Sequence, residues 1–173
     1  MASTIGYSVL SHCSRHKVAC MIVKDRRPMA TGINGTSPGA VNCDEVFTNP
    51  PAPGTKGYDE YLKAHIEFSE QNEQHAEANA ISWCGRKGIE IEGSHIYTTL
   101  SPCLACAKLI VPAGIIRCYY LEKYDRDPKG LDYLTDNGVE VVQLKLREVQ
   151  AHIVAIQDKL NQAGANRFNN IRF

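Results

Sequence analysis

The sequence predicts an α/β fold, a largely parallel sheet covered by helices. Three observations point to it. β-Rich and helical segments alternate through the second half of the chain, as layered α/β architectures require. The helical segments stop near glycines, at Gly114 and Gly138, where helices commonly end. The chain has 173 residues, so 1–173 is expected to be one domain whose core needs no disulfide staples.

The elements follow in order. Residues 3–14 carry a weak helical pattern. Residues 17–24 (KVACMIVK) read as a buried strand, 26–28 as a turn and 29–33 as a second strand. The pair should form an antiparallel hairpin. Residues 34–53 are rich in Gly, Pro, Asn and Ser, a long structured loop of the kind that often carries function. Residues 58–70 look helical, and 75–87 form a stronger helix closed by Gly88. Strands are expected at 94–99, 117–121 and 139–144, with helices at 103–111 and 129–136 between them. A last amphipathic helix spans 147–163, its apolar stripe marked by Ile153, Ile156 and Leu160. No repeat or low-complexity segment is visible.

Composition narrows the function. Lys plus Arg and Asp plus Glu number 19 each, so the net charge is zero. A nucleic-acid partner usually demands a basic face, so none is expected, whereas a small phosphorylated ligand needs only one or two local cations. With 43% hydrophobic and 22% charged residues the chain is globular. No apolar run approaches the ~18 residues of a membrane span. The start, Met1-Ala2-Ser3-Thr4, lacks the basic and apolar regions of a signal peptide. Seven cysteines, an odd number, are Cys13, Cys20, Cys43, Cys84, Cys103, Cys106 and Cys118. A reducing, cytoplasmic setting is expected, where a close cysteine pair suggests metal or redox chemistry.

Two short motifs carry the chemistry. His75-Ala76-Glu77 opens one helix; Pro102-Cys103-Leu104-Ala105-Cys106 follows a strand and opens another. His75, Cys103 and Cys106 make a borderline-soft donor set suited to Zn²⁺, and three protein ligands leave one tetrahedral position open, the mark of a catalytic zinc. A thiol at a helix N-terminus is acidified by the dipole and by free N–H groups. Pro102 fits a helix start. Positions i and i+2 of a helix do not share a face, so Glu77 can serve the same pocket as His75 only if that pocket lies end-on to the helix. Two helix N-termini would then converge on one ion, with Glu77 a general acid/base. His16, His95 and His152 lack comparable company and read as structural or surface residues.

At these residues the chain resembles the cytidine deaminase superfamily, whose signature is H-x-E with P-C-x-x-C, and within it the dCMP deaminases of bacteriophage type. HAE and TLSPCLAC carry the superfamily resemblance. Thr31-Gly32-Ile33-Asn34-Gly35-Thr36, Pro38-Gly39-Ala40-Val41-Asn42-Cys43 and Asn72-Glu73-Gln74-His75-Ala76-Glu77 carry the narrower one, over about 17–144. Ile33 stands where the family usually has an aromatic. The resemblance implies a three-layer α/β/α fold with a five-stranded mixed sheet, and zinc-dependent hydrolysis of dCMP to dUMP and ammonia in the supply of dTMP. It implies that Glu77 shuttles protons between water, ring N3 and the leaving amine, with attack at C4. Substrate contacts fall on Asn34, on the backbone at Ser101 and Pro102, and on Tyr124, for which an ordinary half-buried tyrosine is the alternative. Arg26, Lys123 or Arg126 would meet the 5′-phosphate.

The resemblance also matches Cys13, Cys43, His65 and Glu73 to a second, structural zinc site of some phage-type members. The plain alternative is that the two cysteines are small buried apolar residues. Many members are homohexamers activated by dCTP and inhibited by dTTP with Mg²⁺. The residues for that nucleotide would be Gly35, Thr36, Gly39, Asn42, Asn72 and Glu73, in a loop whose N–H groups could nest a triphosphate. Trp83 and Arg86, three apart on one helix face, match interface positions that influence regulation; Trp83 could equally be core. Rival readings are a related cytidine, dCTP, guanine or tRNA adenosine deaminase, a zinc-stabilised binding module without catalysis, and a redox-active Cys103–Cys106 pair. An enzyme of phage origin would work in the host cytoplasm.

Overall fold

The computed structural model describes residues 1–162. Helix α1 (Ala2–Ser8) precedes a hairpin of β1 (Ala19–Lys24) and β2 (Arg27–Ile33). Then come β3 (Gly35–Thr36), α2 (Cys43–Val46), α3 (Tyr58–Asn72), β4 (Glu73–Gln74) and α4 (Ala76–Lys87). The second half alternates β5 (His95–Leu100), α5 (Leu104–Ile110), β6 (Arg117–Glu122), α6 (Lys129–Asp136) and β7 (Glu140–Gln143), and ends in α7 (Leu146–Gln162).

The five long strands form one mixed sheet in the order β2-β1-β5-β6-β7. The expectation of a largely parallel sheet is corrected here. β1 is antiparallel to both β2 and β5, and only β5–β6 and β6–β7 are parallel. Parallel neighbours need a crossover element; α5 and α6 supply it in the second half, whereas β1 and β2 are joined by a two-residue turn.

That turn lies earlier than expected. Asp25 and Arg26 both have positive φ (51° and 64°), as the two central residues of a right-twisting hairpin turn do. Pro28, read as part of the turn, belongs to β2. This is an edge strand with a register shift at Ile22/Val23, and edges and bulges are where a strand tolerates proline.

One sheet face supplies the core. Cys20, Ile22, Ile96 and Cys118 pack with Ala76, Ala80 and Cys84 of α4, Ala107 and Ile110 of α5, and Leu134 of α6. The small residues on α4 let helix and sheet approach closely. At Gly32 a Cβ would strike the Ala76 carbonyl oxygen and lie 2.8 Å from the Ala80 nitrogen. Gly88 ends α4 in the left-handed region, φ 63°, as expected of a helix-closing glycine.

Three short elements escaped the sequence. These are α2, capped by Asn42 with Glu45, and the two-residue strands β3 and β4, paired through Gly35–Gln74 and Thr36–Glu73. The N-terminal helix ends at Ser8 instead of 14. Ile153 and Ile156 of α7 are exposed, so the expected stripe there is not buried. The side chain of Leu160 and residue Ala163 lie outside the described residues.

Candidate active site

His75 is the N-cap of α4 and Cys103 the N-cap of α5, both with extended backbone. The two helix starts meet. His75 Nδ1 lies 3.3 Å from Cys103 Sγ and 3.4 Å from Cys106 Sγ. Zinc bonds of about 2.3 Å to sulfur and about 2.0 Å to nitrogen place tetrahedral ligands roughly 3.5 Å apart, so the three donors fit a zinc ion without rearrangement. The Cys103 thiol is held far below its usual range by a hydrogen bond from Cys106 and, against the effect of burial, another from His75. Sharing that proton pushes Cys106 up.

Glu77 is 3% exposed. Burial raises its carboxyl pKa, and the neighbouring His75 opposes that rise. Glu77, His75 and Cys103 line one cavity. The end-on arrangement required by the i, i+2 spacing is thus realised.

The same cavity receives Asn34, Ser101 and Tyr124. Pro102, next to Ser101, is fully buried and does not line it. Ser101 donates its N–H to the Glu122 carbonyl and accepts the Tyr124 N–H on Oγ, 2.8 Å in each case. Asn34 is heavily committed. Its Oδ1 accepts from Ser11 Oγ at 2.6 Å and the Val18 N–H at 2.8 Å, and its Nδ2 donates to the His16 carbonyl at 2.8 Å. One Nδ2 hydrogen is left for a ligand.

Of the cations suggested for a phosphate, Arg126 lines the cavity and Arg26 and Lys123 do not; Arg26 lies in the β1–β2 turn. Arg15 and His16 also line it. Sequence reasoning missed both, and took His16 for a structural or surface residue. The signal available was their place between Cys13 and the start of the first strand, opposite Asn34.

A second donor cluster stands beside the first. His65 Nε2 is 3.3 Å from Cys43 Sγ and 3.7 Å from Cys13 Sγ. All three residues are buried, and burial pushes the Cys13 thiol up to about 11. Glu73 is not within the tight cluster. It lines the cavity, Ser69 Oγ donates to its Oε2 at 2.7 Å, and its Oε1 is buried without a partner. Glu73 therefore presents an unpartnered carboxylate oxygen on the cavity wall it shares with Cys13 and His65.

Thr36 and Glu73 are brought together by the β3–β4 ladder, and Thr36 Oγ1 donates to Asn42 Oδ1 at 3.2 Å. Gly35 shares the ladder, Gly39 adopts φ 86°, and Asn72 donates to the Phe68 carbonyl at the end of α3. Trp83 is 48% exposed, so it is not core. The Lys87 ammonium sits 4.9 Å from its ring centre, and Arg86 is exposed on the same helix. All seven cysteines are free and buried.

A family model for the cytidine and deoxycytidylate deaminase zinc-binding region matches residues 1–122. Deoxycytidylate deaminase of Enterobacteria phage T2 is 37% identical over 155 residues, 76% of this chain and 82% of that protein. ComE operon protein 2 of Bacillus subtilis is 33% identical over 95% of this chain and 84% of its own length. Among solved structures, the dCMP deaminase of cyanophage S-TIM5 in complex with dCMP and dUMP superposes with TM-score 0.66 at 32% identity. That match covers 83% of this chain and 92% of the other.

Proposed function

The chain belongs to the cytidine and deoxycytidylate deaminase zinc-binding family, and from that premise we propose that it hydrolyses dCMP to dUMP and ammonia. The observation that carries this reading is the meeting of His75, Cys103 and Cys106 at the wall of the cavity that His75, Cys103 and the buried Glu77 line. Zinc held by His75, Cys103 and Cys106 would supply Lewis acidity, lowering the pKa of water at the site to about 7.

The chain's own residues do the rest. The Glu77 carboxylate accepts the first proton of the attacking water and delivers it to ring N3, then accepts the second from the new C4 hydroxyl and delivers it to the leaving amine. The C4–O bond forms, the C4–N bond breaks and ammonia departs. Burial of Glu77 favours its protonated form, which suits a group that must hold a proton midway through the reaction. Tyr124 offers a face to the nucleotide, and the remaining Asn34 amide hydrogen reaches towards it. Arg126 and Arg15 are the cations available to a 5′-phosphate. Zero net charge supports a small nucleotide over a tRNA.

Three finer readings rest on the same frame. Cys13, Cys43, His65 and Glu73 hold a second, structural zinc, which ties the 13–43 region to α3; the orphaned Glu73 oxygen supports it. The loop at Gly35, Thr36, Gly39, Asn42, Asn72 and Glu73 takes a regulatory triphosphate with Mg²⁺, dCTP activating and dTTP inhibiting. The β3–β4 ladder supports this, because it ends directly before His75. The enzyme assembles as a homohexamer, with exposed Trp83 and Arg86 at subunit contacts. Free cysteines throughout agree with a cytoplasmic setting, and no helix among the described residues is long and apolar enough to cross a membrane.

The test is ammonia release from dCMP, dCTP, deoxycytidine and a tRNA stem-loop. Turnover of dCMP in clear preference supports the reading. Preference for any of the others replaces it.

A further inference from the structure

The orientation of α5 decides where two of the three zinc-binding atoms point, because Cys103 is its N-cap and Cys106 lies in its first turn. Yet α5 lacks a cap of its own. The Cys103 side chain makes no capping hydrogen bond, as expected of a residue committed to metal. An uncapped first turn leaves its N–H groups orphaned and frays.

The missing acceptor comes from a distant part of the chain. The N–H of Leu104, the first residue of α5, donates to Asp127 Oδ2 at 2.8 Å. Asp127 is half-buried and directly precedes Pro128, the N-cap of α6. Two further contacts fix the same pair of segments. The Tyr124 N–H donates to Ser101 Oγ at 2.8 Å. Gly130 of α6 lies so close that a Cβ there would meet the Pro102 carbonyl oxygen and come within 2.7 Å of the Cys103 carbonyl carbon. Segment 124–130 therefore grips segment 101–104 at three points. Two of its residues, Tyr124 and Arg126, meanwhile face the cavity.

We propose that Asp127 is a positioning residue of the metal centre: by capping α5 in place of Cys103, it sets the directions in which Cys103 and Cys106 present their sulfurs to His75. The proposal rests on the zinc reading above. A carboxylate suits the place because a negative group at a helix N-terminus is favoured by the helix dipole. Outer partners of this kind typically change metal affinity 10- to 100-fold. The contact also makes one rigid body of the zinc loop and the segment that bears Tyr124 and Arg126.

The experiment compares the full-length, zinc-loaded protein with Asp127→Ala and Asp127→Asn. The readouts are zinc affinity against a chromophoric chelator and the visible spectrum of the cobalt-substituted protein. Asp127→Ala is expected to weaken zinc binding about 10- to 100-fold and to alter the cobalt–thiolate bands. Excess zinc should restore its turnover. Asp127→Asn, whose amide oxygen still accepts the Leu104 N–H, should stay close to the parent in both readouts. Parental zinc affinity and cobalt spectrum in Asp127→Ala overturn the proposal and leave the zinc reading standing. A parent protein that binds no zinc overturns the zinc reading itself, and the proposal with it. Should Asp127→Ala fail to fold, amide exchange in the parent decides: a protected Leu104 N–H supports the cap and an unprotected one overturns it.

Discussion

Glu77 follows His75 by two positions, a spacing that separates two side chains on a regular helix. The site works because His75 is not in the helix but caps it, so its ring turns to the cavity while Glu77 enters from the first turn. Glu77→Gln is nearly isosteric and loses only the ability to take and give a proton. It should retain zinc while dUMP formation falls by about 10²–10⁴, as metal analysis and a turnover assay on one sample would reveal. A near-parental rate at full zinc occupancy would end the acid/base assignment. The resemblance offered Asn34 as a substrate contact and gave no sign of its structural bonds. Its three hydrogen bonds to the 11–18 segment depend on where a distant stretch of chain passes, which no local pattern encodes. Asn34→Ala strands the Val18 N–H and the His16 carbonyl, while Ser11 Oγ keeps the backbone carbonyl of residue 34 as its acceptor. Urea unfolding should therefore show a loss of about 2 kcal/mol or more, beyond any effect on KM. Unchanged stability would make Asn34 a pure ligand contact.

At the level of elements, α4 and the sheet meet through small residues. The Gly32 contact lies against backbone atoms of Ala76 and Ala80, which cannot step aside as a side chain can. Gly32→Ala should cost about 1–3 kcal/mol of stability and shift the start of α4, lowering zinc affinity together with the unfolding midpoint. Stability and zinc affinity equal to the parent would show that the helix start is set elsewhere. The helices and strands of the second half were legible because their lengths and glycine stops are local features. α6 spans Lys129–Asp136, the range the sequence predicts. The two-residue strands β3 and β4 were not legible. A ladder of that length has no period, and its partners lie 37 residues or more apart in register, Thr36 with Glu73. Pro28 misled for a related reason, since only the sheet order reveals that β2 is an edge.

Across the whole molecule, two donor clusters border one cavity, and Cys13, His65 and Glu73 share its wall with His75 and Cys103. Metal analysis of the purified protein should find two zinc ions per chain, and Cys43→Ser should leave one. A single zinc in the parent would return Cys13 and Cys43 to the role of buried apolar residues. The motif pair and its metal chemistry were readable from residue types and spacing alone. The cations of the cavity wall were only partly readable: Arg126 was among the sequence candidates, Arg15 became visible only when the fold brought residues 13–18 to the same wall, and Arg26 was set aside by the hairpin that carries it away. The proposed regulation by dCTP and dTTP has its own test. Addition of dCTP should steepen and left-shift turnover at low dCMP, and dTTP with Mg²⁺ should reverse it. A hyperbolic curve indifferent to both would remove regulation and leave catalysis intact.

The most direct test of the central claim is turnover of dCMP by the protein stripped of metal with a chelator and then titrated with Zn²⁺, with bound zinc and dUMP measured together. The account predicts no dUMP from the stripped protein and recovery in step with zinc at the His75, Cys103 and Cys106 site. Undiminished dUMP formation without zinc, or full zinc occupancy with no dUMP, would contradict it.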